Sequence, residues 1–320
     1  MDKNISAHIV SAGSYVPEQI LTNKELEMFL DTSDEWITSR TGIKQRHIVP
    51  RGHNTPASEL GSKAAQVALE KAGMDCSQID GIICATFTPD YFFPSTACRI
   101  QAALGMKNGF AFDISAACAG FVYALNTANS MIISGQAKNM LVIGSEVITK
   151  TLDWTDRNTC ILFGDGAGAV VVSAKEDSSR GIISSYIASD GSLGDILKLP
   201  AWGESRFMHM NGNDVFKHAV RLMSESTQKV LEDAHMDLEQ IDLIIPHQAN
   251  IRIIQALASL LKFPMEKIVT NMDRYGNTSS ASIPIALEEA WNEGRIKEGS
   301  KVVLSCIGGG ITIGSSLIIF

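Results

Sequence analysis

The 320-residue sequence predicts an α/β fold made of two similar halves, each with a sheet that helices cover. Two observations carry this prediction: an internal repeat, and the alternation of short apolar runs with amphipathic segments. Continuous apolar runs are typical of strands that are buried on both faces of a sheet. Together they indicate two stacked sheets with helices between and outside them.

The internal repeat defines the two halves. Residues 66–83 read QVALEKAGMDCSQIDGII and residues 228–245 read QKVLEDAHMDLEQIDLII, with 11 identities in 18 positions at an offset of 162. A match of this length at half the chain length indicates a tandem duplication. The polar segment KEDSSR at 175–180 separates a first half, residues 1–174, from a second half, residues 181–320.

Ten apolar or β-branched runs predict the strands. They lie near residues 8–13, 81–86, 111–115, 139–145, 168–174, 181–189, 242–246, 267–271, 301–306 and 315–320. Between them, segments such as 57–73 and 213–234 carry apolar residues at i, i+3 and i+4. That spacing is typical of a helix with one buried face.

The composition argues against several classes of protein. Lys and Arg number 27 against 35 Asp and Glu, and the resulting net charge of −8 disfavours binding to nucleic acid or to an anionic membrane. No apolar run reaches the roughly 18 residues of a membrane span, and MDKNISAHIV lacks the apolar stretch of a secretory signal. Six scattered cysteines have neither paired nor zinc-ligand spacing, so we expect no metal and a reducing, cytoplasmic location.

Cys118 differs from the other cysteines in its surroundings. A free cysteine is most often a small buried apolar residue, and this is the alternative interpretation here. Cys118, however, lies in SAACAGF among small residues, between a predicted strand and a helix that begins with FVYALNTANSM. The N-terminus of a helix favours the thiolate, which is the nucleophilic form, so we expect a nucleophilic role for Cys118.

His247 and Asn277 are the expected partners of this thiol. His247 follows the run 242–246 and precedes the helix IRIIQALASLL. Asn277, in YGNTSSAS, begins the segment that the offset of 162 matches to the Cys118 turn, although by itself it would be interpreted as a helix cap. Strand ends of an α/β sheet meet at one edge, so the three side chains should share a pocket. A thiolate, an imidazole and an amide together suit acyl transfer.

A glycine run, Gly308 to Gly310, follows the strand KVVLSC. Glycine allows the backbone to approach a ligand closely, so an N–H group of this run would complete an oxyanion hole with the Cys118 N–H. The chain has neither a G-x-G-x-x-G nor a G-x-x-x-x-G-K-[ST] motif. A nucleotide cofactor is therefore not expected.

These motifs resemble those of the thiolase-superfamily condensing enzymes, and within them the beta-ketoacyl-[acyl-carrier-protein] synthase III family. The resemblance rests on SAACAGF, PHQANIR at 246–252, YGNTSSAS at 275–282 and the glycine run. DTSDEWITSRTGIKQRHI at 31–48 and FGDGAGAVV at 163–171 extend it over nearly the whole chain. It implies a thiolase-like duplicated five-layered αβαβα fold and the initiation of type II fatty-acid synthesis.

The resemblance also implies a two-step reaction in which a CoA thioester is a substrate and no cofactor takes part. Cys118 accepts a short acyl group, with acetyl-CoA as the expected primer, and CoA leaves. Malonyl-acyl carrier protein then loses CO₂, and His247 and Asn277 stabilise the enolate that attacks the acyl-Cys118 carbonyl. The N–H groups of Cys118 and Gly309 would form the oxyanion hole.

Binding residues follow from the same resemblance. Those implied for CoA are Thr32, Trp36, Arg40, Arg157, Asn213 and Phe216. The adenine would lie between Trp36 and Arg157, with Thr32 as its hydrogen-bond partner and Arg40 near a phosphate, while Asn213 and Phe216 would line the pantetheine arm.

Three further residues concern protein partners. Phe93 would close the acyl pocket across a homodimer interface, and Lys217 and Arg252 would dock the acidic carrier protein. The family often has paired lysines where this chain has Ser259 and Leu260, which leaves carrier docking open.

Other functions remain as alternatives. A related condensing enzyme of secondary metabolism would use a CoA-bound acceptor. A non-catalytic partner subunit usually lacks the nucleophile, whereas Cys118 is present here. A nucleotide-dependent oxidoreductase has no motif in its favour.

Overall fold

Two mixed sheets organise the computed structural model, which describes residues 5–203 and 205–320. The first half contains β1 (Ser6–Tyr15), β2 (Ile20–Thr22), α1 (Asn23–Glu27), α2 (Asp34–Thr41), β3 (Gln45–His47), α3 (Ala57–Ala72), β4 (Gly81–Ala85), α4 (Thr96–Ala103), β5 (Phe110–Ile114), α5 (Gly120–Ile133), β6 (Asn139–Glu146) and β7 (Gly166–Lys175).

The second half repeats this layout. It contains β8 (Gly181–Ser189), β9 (Leu197–Lys198), β10 (His209–Met210), α6 (Gly212–Asp233), β11 (Leu243–Pro246), α7 (Ile251–Leu261), α8 (Met272–Tyr275), α9 (Ser282–Asn292), β12 (Lys301–Gly308) and β13 (Thr312–Ile319). The polar segment 175–180 coincides with the connection between β7 and β8. We propose residues 1–174 and 181–320 as the two halves on this basis.

The two sheets have matching strand orders. The first is β1-β7-β6-β4-β5 and the second, read in the same sense, is β8-β13-β12-β11. In the first sheet β7 is antiparallel to both β1 and β6, and β6 is parallel to β4. In the second sheet β13 is likewise antiparallel to both β8 and β12, and β12 is parallel to β11. The predicted duplication is therefore present in the strand topology.

Helices form three layers around these sheets. α3 packs on one face of the first sheet and α6 packs on the outer face of the second, whereas α5 and α9 lie between the sheets and contact both. Apolar side chains of the middle layer, such as Phe121 and Leu287, are fully buried in a cluster that includes strands of both sheets. The order helix, sheet, helix, sheet, helix confirms the five-layered αβαβα fold.

The segment 267–271 is the predicted strand that is wrong. It makes a single bridge to Ile244 instead of a ladder. The side-chain amide of Gln248 takes its next hydrogen bonds: Nε2 donates to the Val269 carbonyl (3.0 Å) and Oε1 accepts from the Asn271 N–H (2.9 Å). A single side-chain amide can bond only these two backbone groups, so the hydrogen bonding of the segment does not continue into a strand ladder.

Among residues 5–203 and 205–320, no helix has the length and apolar character that a membrane span requires. Nor do any three His, Cys, Asp or Glu side chains in these ranges lie together as metal ligands would.

Candidate active site

Cys118 lies in a 3₁₀ turn, Ala117–Ala119, directly before α5. Its side chain is buried, and the turn packs tightly against the end of β12. A Cβ atom on Gly308 would lie 2.7 Å from the Cys118 nitrogen, so only glycine allows this approach. The structure thus places the thiol at the predicted strand-to-helix turn.

Burial dominates the pKa of the thiol. Burial raises the pKa of Cys118 to about 12, a hydrogen bond from Ser279 opposes the rise, and the charge of Glu146 adds to it. Removal of the thiolate from water therefore outweighs the favourable position before a helix.

His247 directly follows β11, and hydrogen bonds hold both its backbone and its imidazole ring. Its N–H donates to the Ser305 carbonyl (2.8 Å), and its Nδ1 contacts the Ser282 hydroxyl at 2.7 Å. The Gln248 N–H donates to the same hydroxyl oxygen (3.4 Å), and we assign the hydroxyl hydrogen to Nδ1 and the ring proton to Nε2 on this basis. Burial lowers the pKa of His247 to about 4, so the ring is a neutral donor at neutral pH.

Asn277 is held by the loop before β7 and by its own turn. Its N–H donates to the Leu162 carbonyl (2.8 Å) and its carbonyl accepts from the Gly164 N–H (3.0 Å). Its Oδ1 accepts from the Ser279 N–H at 2.8 Å, which orients the amide so that Nδ2 is the outward donor. Contacts with backbone groups thus fix both the main chain of Asn277 and the orientation of its side-chain amide.

Cys118, His247 and Asn277 line one cavity of about 260 Å³. Asn213, Phe216 and Arg252 line it as well, so three of the residues expected to bind substrates lie beside the three expected to react. Lys217 lies on the exposed part of α6 outside this lining. The arrangement offers a thiol and two hydrogen-bond donors to one substrate.

A second cavity of about 350 Å³ also reaches Cys118. Gly309 contributes to it, so both predicted oxyanion-hole residues border this space. Its apolar wall consists of Phe87, Phe163, Leu197, Leu199 and Met208. The nucleophile therefore borders two adjoining cavities that are both mostly apolar. Only the first contains the donors of His247 and Asn277, and it is called the polar cavity below for that reason.

Glu146 is a fully buried carboxylate near this site. It accepts hydrogen bonds from the Thr88 hydroxyl (2.6 Å), the Phe87 N–H (3.3 Å) and the Ser280 hydroxyl (2.8 Å). Burial raises its pKa to about 7 although these donors act in the opposite direction. Glu146 thus links a wall of the apolar cavity to the turn that carries Asn277.

The residues expected to bind adenine lie outside the lining of both cavities. The Thr32 hydroxyl oxygen is buried, and no described residue bonds to it. The guanidinium carbons of Arg40 and Arg157 lie 4.7 and 5.2 Å from the centre of the Trp36 ring. A base between Trp36 and Arg157 needs two contacts of about 3.5 Å, so Arg157, which donates to the Asp31 carbonyl, must move to admit one.

Phe93 is 86% exposed and lies outside the lining of both cavities within one chain. Its neighbour Phe92 is 75% exposed and stacks on Trp202, itself 74% exposed, with 5.3 Å between ring centres. Three large aromatic side chains from two loops are thus presented to solvent.

Sequence reasoning missed several groups that the fold brings to the site. Ser279 and Ser282 contact Cys118 and His247, and the apolar cavity is built from the residues around Phe87 and Leu197. Both serines lie in YGNTSSAS, but a serine-rich segment does not reveal which hydroxyl faces the site.

Comparisons with known proteins agree over both halves. Residues 112–191 match the model of the 3-oxoacyl-[acyl-carrier-protein (ACP)] synthase III family. Residues 231–320 match the model of the C-terminal part of the same family. A beta-ketoacyl-[acyl-carrier-protein] synthase III of Campylobacter concisus is 50% identical over 328 residues, covering 98% of this chain and 97% of that relative.

Solved structures agree as well. The crystal structure of 3-oxoacyl-[acyl-carrier-protein] synthase III from Aquifex aeolicus has a TM-score of 0.94 and 48% identity, covering 98% of this chain and 100% of that one. A priming beta-ketosynthase from the R1128 polyketide pathway has a TM-score of 0.92 and 32% identity, covering 98% and 96%. Since near-complete coverage at this identity extends to both halves, the chain belongs to the 3-oxoacyl-[acyl-carrier-protein] synthase III family, condensing acyltransferases of fatty-acid biosynthesis.

Proposed function

We propose that the chain performs the priming condensation of type II fatty-acid synthesis. It would join acetyl-CoA to malonyl-acyl carrier protein and release 3-oxoacyl-acyl carrier protein, CoA and CO₂. The observation that carries this proposal is that Cys118 borders both the cavity with His247 and Asn277 and an adjoining apolar cavity. A covalent two-step transfer needs such a place for the acyl group while the second substrate enters.

In the first step the Cys118 sulfur attacks the thioester carbon of acetyl-CoA. The new sulfur–carbon bond forms, the bond to the CoA sulfur breaks, and the thiol proton leaves with CoA. The N–H groups of Cys118 and Gly309 stabilise the charge on the carbonyl oxygen, and the borders of the apolar cavity support this role. The acyl group then occupies the cavity walled by Phe87 and Leu197.

In the second step the malonyl thioester enters the polar cavity. Nε2–H of His247 and Nδ2–H of Asn277 donate to its carbonyl, so that loss of CO₂ leaves an enolate with a stabilised oxygen. The enolate carbon bonds to the acyl carbon, the bond to the Cys118 sulfur breaks, and the released thiolate takes a proton from solvent. The tautomer that Ser282 imposes and the amide orientation that Ser279 imposes both support these donor roles.

For CoA binding we propose the six residues expected from the sequence. The unpaired hydroxyl of Thr32 supports an adenine contact, and the Trp36 ring with Arg40 and Arg157 beside it supports stacking and phosphate contacts. Asn213 and Phe216 border the polar cavity, as a pantetheine path requires. Neither a metal nor a nucleotide cofactor enters the proposed chemistry.

A homodimer and a carrier complex complete the proposal. The exposed Phe92, Phe93 and Trp202 support a self-association surface, from which Phe93 would reach the acyl cavity of the partner. Arg252 at the cavity and Lys217 beside it support docking of an acidic carrier. All six cysteines are free thiols, which supports a reducing cytoplasm as the location.

The second candidate is a condensing enzyme that uses a CoA-bound acceptor. It is favoured by Leu260, an exposed apolar residue where the family often presents lysine to the carrier. Similarity to a priming ketosynthase of a polyketide pathway also leaves room for this variation. The acceptor is therefore what distinguishes the two candidates.

Intact-protein mass spectrometry tests both steps. Incubation with acetyl-CoA should add one acetyl group to the wild type and to Cys160→Ala, a control that removes another buried cysteine, but not to Cys118→Ala. Malonyl-acyl carrier protein should then discharge the adduct much faster than malonyl-CoA does. An unmodified wild type with every short acyl-CoA would contradict the proposal, and equal discharge by both malonyl thioesters would favour the second candidate.

A further inference from the structure

Ser279 contacts the nucleophile directly. Its hydroxyl donates a hydrogen bond to the Cys118 sulfur at 3.2 Å, and the side chain is fully buried. The two residues come from different halves of the chain, so only the packing of the halves brings them together. A buried hydroxyl next to a thiol is a donor that water cannot replace.

The turn around Ser279 does not itself require a hydroxyl. The equivalent residue in the first half, at the same offset of 162, is Ala117, and both residues adopt left-handed backbone conformations with φ of 52° and 46°. Ala117 makes this turn with a methyl group alone. The hydroxyl of Ser279 is therefore available for a purpose other than the turn.

The neighbouring hydroxyl points elsewhere. Ser280 donates to the Ala85 carbonyl (2.9 Å) and to Glu146 (2.8 Å). Ser279 instead directs its hydroxyl at sulfur and its N–H at the Oδ1 of Asn277. Two adjacent buried serines thus differ in one respect that matters here, contact with the nucleophile.

We propose, on the basis of the condensation chemistry proposed above, that Ser279 is a catalytic residue whose hydroxyl stabilises the Cys118 thiolate in both half-reactions. In the first, the sulfur carries negative charge before it bonds to the acyl carbon and the thiol proton leaves with CoA. In the second, the sulfur–carbon bond breaks as the enolate carbon bonds to the acyl carbon, and the bond's electron pair returns to sulfur. The hydroxyl donates to the sulfur at both moments.

The charge on sulfur explains why this donor favours the reaction. A hydrogen bond to an anion is roughly twice as strong as one between neutral groups. The uncharged thioester sulfur of the acyl-enzyme is a weak acceptor, so the bond strengthens mainly when the thiolate forms or departs. Burial and the nearby Glu146 charge both disfavour the thiolate, and Ser279 acts against them.

Alkylation of Cys118 by iodoacetamide tests this role without any substrate. The rate is measured against pH, by mass of the Cys118 peptide, for wild type, Ser279→Ala and Ser279→Gly. Glycine suits a φ of 52°, so that variant keeps the turn while it lacks the hydroxyl. We expect the thiol pKa to rise by about one unit in both variants, which slows alkylation about tenfold below the pKa.

Ser62→Ala is the control, because it also loses a buried hydroxyl, which bonds to the Ser58 carbonyl within α3 and contacts neither Cys118 nor Glu146. Its alkylation profile should stay within about twofold of wild type. Unchanged profiles in both Ser279 variants, or an equal shift in Ser62→Ala, would overturn the proposal. Acyl transfer from acetyl-CoA should slow in parallel with alkylation. Because alkylation needs neither CoA nor carrier, failure of the wild type to become acylated contradicts the proposed function and leaves the alkylation result valid.

Discussion

His247 and Asn277 each have one polar atom satisfied by a neighbour, and the other polar atom is left as a donor. Ser282 holds Nδ1 of the imidazole, and the Ser279 N–H holds Oδ1 of the amide. Fixed donors need no reorganisation when charge develops on a substrate oxygen, which is the main source of their effect. The neighbour that fixes the orientation of each side chain is therefore as necessary to the site as the donor atom itself.

The imidazole of His247 should remain neutral, with its proton on Nε2, from about pH 5 to pH 7. Burial lowers its pKa from 6.5 to about 4 because the charged ring would lose its hydration. The contribution of this neutral ring to folding is present above pH 6.5 and is lost as the pH falls towards 4. Nitrogen chemical shifts of ¹⁵N-histidine-labelled protein report both the tautomer and the titration.

His247→Gln assigns the relevant signals by their loss. A titration midpoint near 6.5 would contradict the prediction, and so would neutral-ring shifts that place the proton on Nδ1.

The elements that carry the site are two equivalent turns pressed against strand ends. The 3₁₀ turns Ala117–Ala119 and Ser279–Ala281 are separated by the repeat offset, and each leads into a central helix. Glycines make this packing possible: a Cβ on Gly144 would lie 2.3 Å from the Ser280 carbonyl oxygen, and one on Gly308 would lie 2.9 Å from the Ala116 carbonyl oxygen.

Gly308→Ala should lower the rate of condensation at least about tenfold while the fold persists. The added methyl group would displace the Cys118 nitrogen, and a misplaced donor in an oxyanion hole costs roughly 10² in rate or more. Steady-state kinetics and circular dichroism measure the two effects separately. Gly191→Ala is the control, since no atom lies within 4 Å of its added methyl, and wild-type activity in Gly308→Ala would refute the argument.

At the scale of the whole molecule, the exposed aromatic residues are the feature that one chain does not explain. Phe92, Phe93 and Trp202 are each more than 70% exposed, although such side chains gain most from burial. A contiguous exposed apolar patch marks an interaction surface. The proposed homodimer would cover it.

Sedimentation equilibrium should give twice the chain mass for the wild type and a lower mass for Phe92→Asp. Dimerisation would bury the carboxylate without a partner, which disfavours the complex. Met28→Asp is the matched control: Met28 is 77% exposed, caps the C-terminus of α1 and lies outside the patch, so this variant should remain dimeric. A monomeric wild type at micromolar concentration, or loss of the dimer in the control as well, would contradict this surface.

Periodicity and the repeat predicted the duplicated layers, the helices 57–73 and 213–234, and the nine strands of the two main sheets. They did not predict the short strands β2, β3, β9 and β10, and they predicted a strand at 267–271 that does not form. The correctly predicted features depend on which residues are apolar and at what spacing, and that information is local. The segment 267–271 is not a strand because the Gln248 amide takes the hydrogen bonds that a neighbouring strand would make with it. A side chain that replaces backbone pairing gives no periodic signal.

The sequence by itself determined the fold class, the family and the choice of Cys118, His247 and Asn277, because motifs and spacing record residue identity along the chain. Only the tertiary structure decided which hydroxyls face the sulfur and the imidazole, where the apolar cavity lies, and that the thiol pKa rises rather than falls. These properties depend on distance and burial among residues far apart in sequence. Burial, unlike helix position, becomes known only when both halves are packed together.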